Sequence, residues 1–147
     1  TCRCTAAQLH AYLSKLSGPL LDRIDLMNEV DGVDDSELRG GGDGESSAAV
    51  KERVERARAI QRERFEGRDI STNSQMNARD IAKWCAVDEN GERIIKKAFD
   101  KMGLTARATT RILKVARTIA DLAGEKDIMP VHLAEAIQYR NTERKYI

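Results

Sequence analysis

The chain has 147 residues with 25 basic and 24 acidic side chains, a net charge of +1, so it lacks the global basic field of a histone-like or polybasic nucleic-acid binder. Its 41% hydrophobic content excludes wholesale disorder, and its length fits one ordinary domain or a small domain with a tail. No apolar run approaches the roughly 20 residues of a membrane span, no signal peptide is visible, and three cysteines in a chain that is 33% charged suit a reducing cytoplasm better than a secreted disulfide framework.

The sequence starts abruptly at Thr1, with Cys2 and Cys4 close behind, which suggests a piece of a longer chain. Thr5-Ala-Ala-Gln8 is a capping-box pattern, and Leu9, Tyr12, Leu13 and Leu16 then recur at helical spacing. Gly18-Pro19 is expected to stop that helix. Beyond Leu20-Leu21-Asp22-Arg23, the alternation of Ile24, Leu26 and Val30 predicts a short strand. From Asp31 to Glu45 the chain is rich in acids and in Gly32, Gly40, Gly41, Gly42 and Gly44, with little to offset ordering entropy, so a mobile linker is expected over 31–45. Gly40-Gly41-Gly42-Asp43-Gly44 lacks the lysine and the preceding strand of a phosphate loop.

Residues 46–147 read as a helical bundle with short connections. Ser46 or Ser47 caps a helix whose inner face is predicted to hold Val50, Val54, Ala57 and Ile60, with a stop at Gly67. Its remaining faces carry mixed charge, including Glu52 and Arg56 one turn apart, as expected of a solvated surface. Asn77 and Asp80 open a short helix holding Ile81, Trp84 and Cys85. Asp88 caps the next, with Ile94, Ile95, Ala98, Phe99 and Met102 inward and Gly103-Leu104 closing it in Schellman fashion. Thr105 caps a helix that Gly124 ends, and Met129-Pro130 opens a last helix with Leu133, Ala136 and Ile137 inward.

Projected as a helix, the stretch after Thr105 places Ala108, Ile112, Val115, Ala116 and Ile119 on one side and Arg107, Arg111 and Lys114 on the other. That stripe is either a solvated cationic face or an anion site, with Arg107 near the exposed N–H groups of the helix start. Guanidinium donors form a planar fork that matches phosphate. Arg23 alone reads as structural. Cys2-Arg3-Cys4 supplies half of a zinc site, since zinc takes about four ligands. His10 is either a third ligand or an ordinary helix-surface residue. Cys85 reads as core, and His132 as a helix-surface histidine with no nucleophile near it in a catalytic pattern. No Walker A sequence occurs, nor an apolar run ending in paired acids for magnesium, so the chain by itself has no visible means of hydrolysing ATP.

Several stretches together resemble the ComM/YifB branch of the magnesium-chelatase family of AAA+ ATPases. These are Cys2-Arg3-Cys4-Thr5, Tyr12 to Leu26 with its Leu20-Leu21-Asp22-Arg23 motif, Gly44-Glu45-Ser46-Ser47, Leu104-Thr105-Ala106-Arg107-Ala108, Arg111 to Leu122, and His132 to Arg140. The resemblance covers nearly the whole chain and is weakest over about 69–97. It implies a mainly α fold: a helical-bundle lid over 46–147, preceded in 1–30 by a helix and short strand from the end of the ATPase core. The nucleotide motifs would then lie before Thr1. It further implies that Arg23 is an arginine finger acting in the site of a neighbouring subunit, and that Arg107 is the second sensor, reaching the γ-phosphate of ATP. Arg111 would be an auxiliary nucleotide contact, and Cys2 with Cys4 half of a four-cysteine Zn²⁺ insert. The parent would be a cytoplasmic ring, a hexamer, using ATP and Mg²⁺ to act on DNA in branch migration during natural transformation and recombination. The alternatives are an ATPase subunit that drives magnesium insertion into protoporphyrin, or a non-catalytic helical interaction module.

Overall fold

The computed structural model describes residues 3–15, 17–30, 32 and 44–141. Cys2, Leu16 and most of the linker expected over 31–45 lie outside them. Among the described residues the chain forms seven α-helices and no strand. They are α1 (Ala6–Leu13), α2 (Gly18–Leu21), α3 (Ser47–Arg64), α4 (Ala78–Trp84), α5 (Glu89–Met102), α6 (Ala106–Ala123) and α7 (Pro130–Asn141), with a 3₁₀ turn over Asn73–Gln75. No helix of the described residues is long and apolar enough to cross a membrane.

Local chemistry sets most of these boundaries. The Thr5 hydroxyl accepts from the Gln8 amide while the Gln8 side chain accepts from the Thr5 amide, completing the capping box of α1. Asn77 and Asp80 do the same for α4. Ser46, Asp88 and Thr105 each accept from an amide three residues on, at the starts of α3, α5 and α6. Gly103 (φ +58°) and Gly124 (φ +75°) adopt the left-handed conformation that terminates α5 and α6. Behind Gly124, the Glu125 amide donates to the Ala120 carbonyl, the longer bond of a Schellman motif.

The core is organised around α6. Ala108, Ile112, Ala116 and Ala120 follow one another at four-residue spacing and are all fully enclosed. Three alanines in that row let neighbouring backbones approach closely. Helix α6 packs on α7, α3 and α4, and α5 packs on α7. Phe65, Met76, Cys85, Ala98, Leu104, Ile128, Leu133 and Ala136 complete the same cluster. Burial pushes the Cys85 thiol up to about 11, which keeps it protonated at neutral pH as part of the apolar interior.

Four sequence-based expectations change. Helix α1 ends at Leu13, before Gly18-Pro19, and that pair opens α2 instead. Val50 and Val54 are exposed: the residues that α3 buries are Ala57 and Gln61, and Arg64 in its last turn reaches Asp121 of α6. Phe99 is exposed on the flank of α5, whose enclosed residues are Gly91 and Ala98. Residues 24–30 form no strand among the described residues, because a strand exists only through a ladder with another. This segment lies against α7, joined to it by a bond from the Met27 amide to the Tyr139 carbonyl (3.0 Å).

Candidate functional site

The cationic stripe of α6 borders a groove of about 500 Å³. Its walls come from α6, from the 3₁₀ turn through Ser74, from α7 through Glu135 and Tyr139, and from the segment after α2 through Asp25 and Leu26. Val115, Ile119 and Leu122 give it an apolar floor. The apolar and cationic sides of the α6 projection therefore meet here.

The three cations have different fates. Arg107 sits in the first turn of α6, exposed at the mouth of the groove, and its guanidinium forms no hydrogen bond or ion pair among the described residues. Lys114 donates through Nζ to the Ser74 carbonyl (2.8 Å), which spends one of its three donors. Arg111 is committed: its Nη1 donates to the Arg23 carbonyl (2.9 Å) and forms an ion pair with Asp25. Arg111 thereby ties the groove wall to the turn that carries Arg23. Across the groove the Tyr139 hydroxyl lies 3.3 Å from Glu135 Oε1.

Arg23 is exposed in the turn after α2, where its own amide donates to the Leu20 carbonyl (3.0 Å). Its guanidinium forms no hydrogen bond or ion pair among the described residues. Cys4 is an exposed free thiol, and His10 lies on the exposed surface of α1. Among the described residues no group of three or more His, Cys, Asp or Glu comes together as a metal site. Cys2, the other member of the cysteine pair, lies outside the described residues.

Sequence reasoning missed the buried polar residues that hold this site in place. Asp121 is fully enclosed and takes a two-pronged contact from Arg64 of α3, together with the Arg117 Nε (3.1 Å) and the Asn73 amide group (2.8 Å). Arg117 uses its other nitrogens on the Lys126 (2.7 Å) and Glu125 (2.6 Å) carbonyls, tying the loop behind α6 to the helix. Gln61 accepts from the Asn73 amide (3.0 Å). His132 is buried rather than on the helix surface, because its Nδ1 accepts from the Met129 amide (3.0 Å) and turns the ring in to cap α7. Arg140 is also enclosed, donating to the Ile24 carbonyl and lying 3.5 Å from Asp22. The i,i+4 spacing of Arg117 and Asp121 was visible in the sequence, but nothing local announced Arg64 or Asn73 as partners.

An α-helical bundle with a Thr-capped, arginine-bearing central helix and a Leu-Leu-Asp-Arg turn docked at its groove defines a helical lid domain. The chain belongs to the magnesium-chelatase family: the model for the C-terminal domain of magnesium chelatase subunit ChlI matches residues 44–140, and that for magnesium chelatase subunit ChlI matches residues 1–38. Among individual proteins it is similar to the competence protein ComM of Haemophilus influenzae, with 45% identity over 94% of this chain and 26% of that protein. It is 40% identical to the uncharacterised protein YifB of Salmonella typhimurium, over 99% of this chain and 28% of YifB. The uncharacterised protein Rv2897c of Mycobacterium tuberculosis is 34% identical over 96% of this chain and 28% of its own length. The chain thus spans about a quarter of the length of these relatives.

Proposed function

We propose that the chain is the lid region of an ATP-dependent AAA+ motor of the ComM type that acts on DNA as part of a subunit ring. The observation that carries the nucleotide role is Arg107: a guanidinium without a partner among the described residues, in the first turn of a capped helix, at the edge of a groove with an apolar floor. A helix start offers unpaired N–H groups and the positive end of the dipole, and the guanidinium adds a planar donor fork. In this reading Arg107 reaches the γ-phosphate of ATP bound with Mg²⁺ and couples lid position to nucleotide state. Arg23, exposed on its turn, enters the site of the neighbouring subunit. There it stabilises charge on the transferring phosphoryl oxygens, a role worth about 10³–10⁵ in rate.

The family's name supports a second reading, an ATPase subunit that drives magnesium insertion into protoporphyrin. The Cys2-Arg3-Cys4 pair and the 45% identity to a competence protein favour the DNA motor. ATP hydrolysis by the full-length parent, measured with and without DNA, separates them. The motor reading predicts stimulation by DNA; an ATPase indifferent to DNA contradicts it. Mixing Arg23→Ala subunits with Walker-defective subunits then tests the finger. Activity recovered in the mixture supports action in trans, and no recovery in any ratio contradicts it.

A further inference from the structure

The turn that carries Arg23 is held by three separate points of the lid. At its start, Asp22 faces the buried Arg140 of α7 (3.5 Å) and accepts from the Thr105 hydroxyl (3.4 Å), the residue that caps α6 two positions before Arg107. In its middle, Arg140 donates to the Ile24 carbonyl and Arg111 to the Arg23 carbonyl. At its end, Arg111 pairs with Asp25, and the Met27 amide bonds to Tyr139 of α7. Leu21, enclosed just before the turn, adds an apolar anchor. Carboxylates thus flank Arg23 on both sides in sequence, each matched by a lid arginine. The Arg111–Asp25 pair is a charge-assisted hydrogen bond, the stronger class, which fixes orientation as well as distance, while Asp22 and Arg140 meet at ion-pair distance.

We infer that Arg111 and Arg140 are positioning residues that lock the Asp22–Asp25 turn to α6 and α7, so that Arg23 and Arg107 move as one body. This deepens the proposed function and rests on it for the roles of Arg23 and Arg107. The lock itself is a property of this chain. Its consequence is that any nucleotide-driven tilt of the lid sensed at Arg107 carries Arg23 with it. One subunit's own nucleotide state is thereby transmitted to its neighbour's site through a rigid lever rather than a flexible loop. Arg111 serves this lever and not the nucleotide.

Amide hydrogen exchange on the 147-residue chain tests the lock directly. Arg111→Met is only half-buried and should leave the bundle folded. With Asp22→Asn added, the Met27 amide is expected to exchange about tenfold faster or more, the size of losing a charge-assisted bond. Amides inside α6 should change by less than about twofold. The swap of Arg111→Asp with Asp25→Arg should restore most of the Met27 protection lost in Arg111→Asp alone. Unchanged exchange at Met27, or no rescue by the swap, overturns the inference. In the full-length ATPase, Arg111→Met should lower kcat, leave KM for ATP within about twofold, and add little to Arg23→Ala. A raised KM, or full additivity with Arg23→Ala, would instead make Arg111 a nucleotide contact and overturn the lever. If the full-length protein hydrolyses no ATP, the proposed function falls while the exchange experiment still decides the lock.

Discussion

At the scale of single residues, Asp121 carries the heaviest structural duty. Its carboxylate is fully enclosed and faces two nearly buried guanidiniums, Arg64 and Arg117. Removing one member of such a group leaves uncompensated buried charge, which is strongly destabilising even where the intact group adds little net stability. Asp121→Ala is therefore expected to lower unfolding stability by about 3–5 kcal/mol in urea titrations. A loss below about 1 kcal/mol would mean that the arginines find water instead. Asp80 makes a pH-dependent contribution. The Arg68 guanidinium (2.5 Å), helped by the Asn77 amide, holds its carboxyl below the ordinary 3.8. A folded-state value below the unfolded one stabilises the fold above the unfolded value, and that stability is lost as pH falls through the folded value. Stability followed from pH 6 down to pH 2 should accordingly fall less steeply in Asp80→Asn than in the wild type; identical slopes would contradict this. The capping role of Asp80 was legible three residues after Asn77. Its ion pair with Arg68, across the loop, was not.

At the scale of elements, helix starts and stops were written in short motifs that need only a few neighbouring residues. Burial faces were harder to read. Val50 and Val54 fit an apolar stripe, yet both are exposed, while the polar Gln61 is buried and bonded to Asn73. The alternation over 24–30 has the period of a strand, but its docking surface here is a helix. Gly91 shows how tightly α5 meets its surroundings. A Cβ there would sit 2.8 Å from Val87 Cβ and 3.0 Å from a Leu133 methyl. Helix propensity alone would make Gly91→Ala stabilising by roughly 0.5–1 kcal/mol. The clash reverses the sign, and a net loss of about 1 kcal/mol is expected in denaturant unfolding. A stabilised variant would show that α5 shifts freely against α7.

At the scale of the whole molecule, the mainly α lid was legible because capping residues and terminal glycines marked most of its helices. The docking of the Arg23 turn was not, since Arg111 and Arg140 meet it from positions far along the chain and local patterns carry no such pairing. The near-zero net charge also takes on a narrower meaning. Arg64, Arg68, Arg111, Arg117 and Arg140 all have carboxylate partners within the chain. Arg107, like Arg23, has no such partner among the described residues, and it lines the groove. Balanced charge is thus compatible with one placed phosphate contact, although it excludes a broad electrostatic field.

The proposed contact of Arg107 with the γ-phosphate is tested most directly by comparing the affinities of full-length wild type and Arg107→Ala for ATP and ADP. The account predicts that the variant loses about tenfold or more in ATP affinity, as expected for one charge-assisted contact, while ADP affinity stays within about twofold. Equal losses for both nucleotides, or none for either, would contradict it.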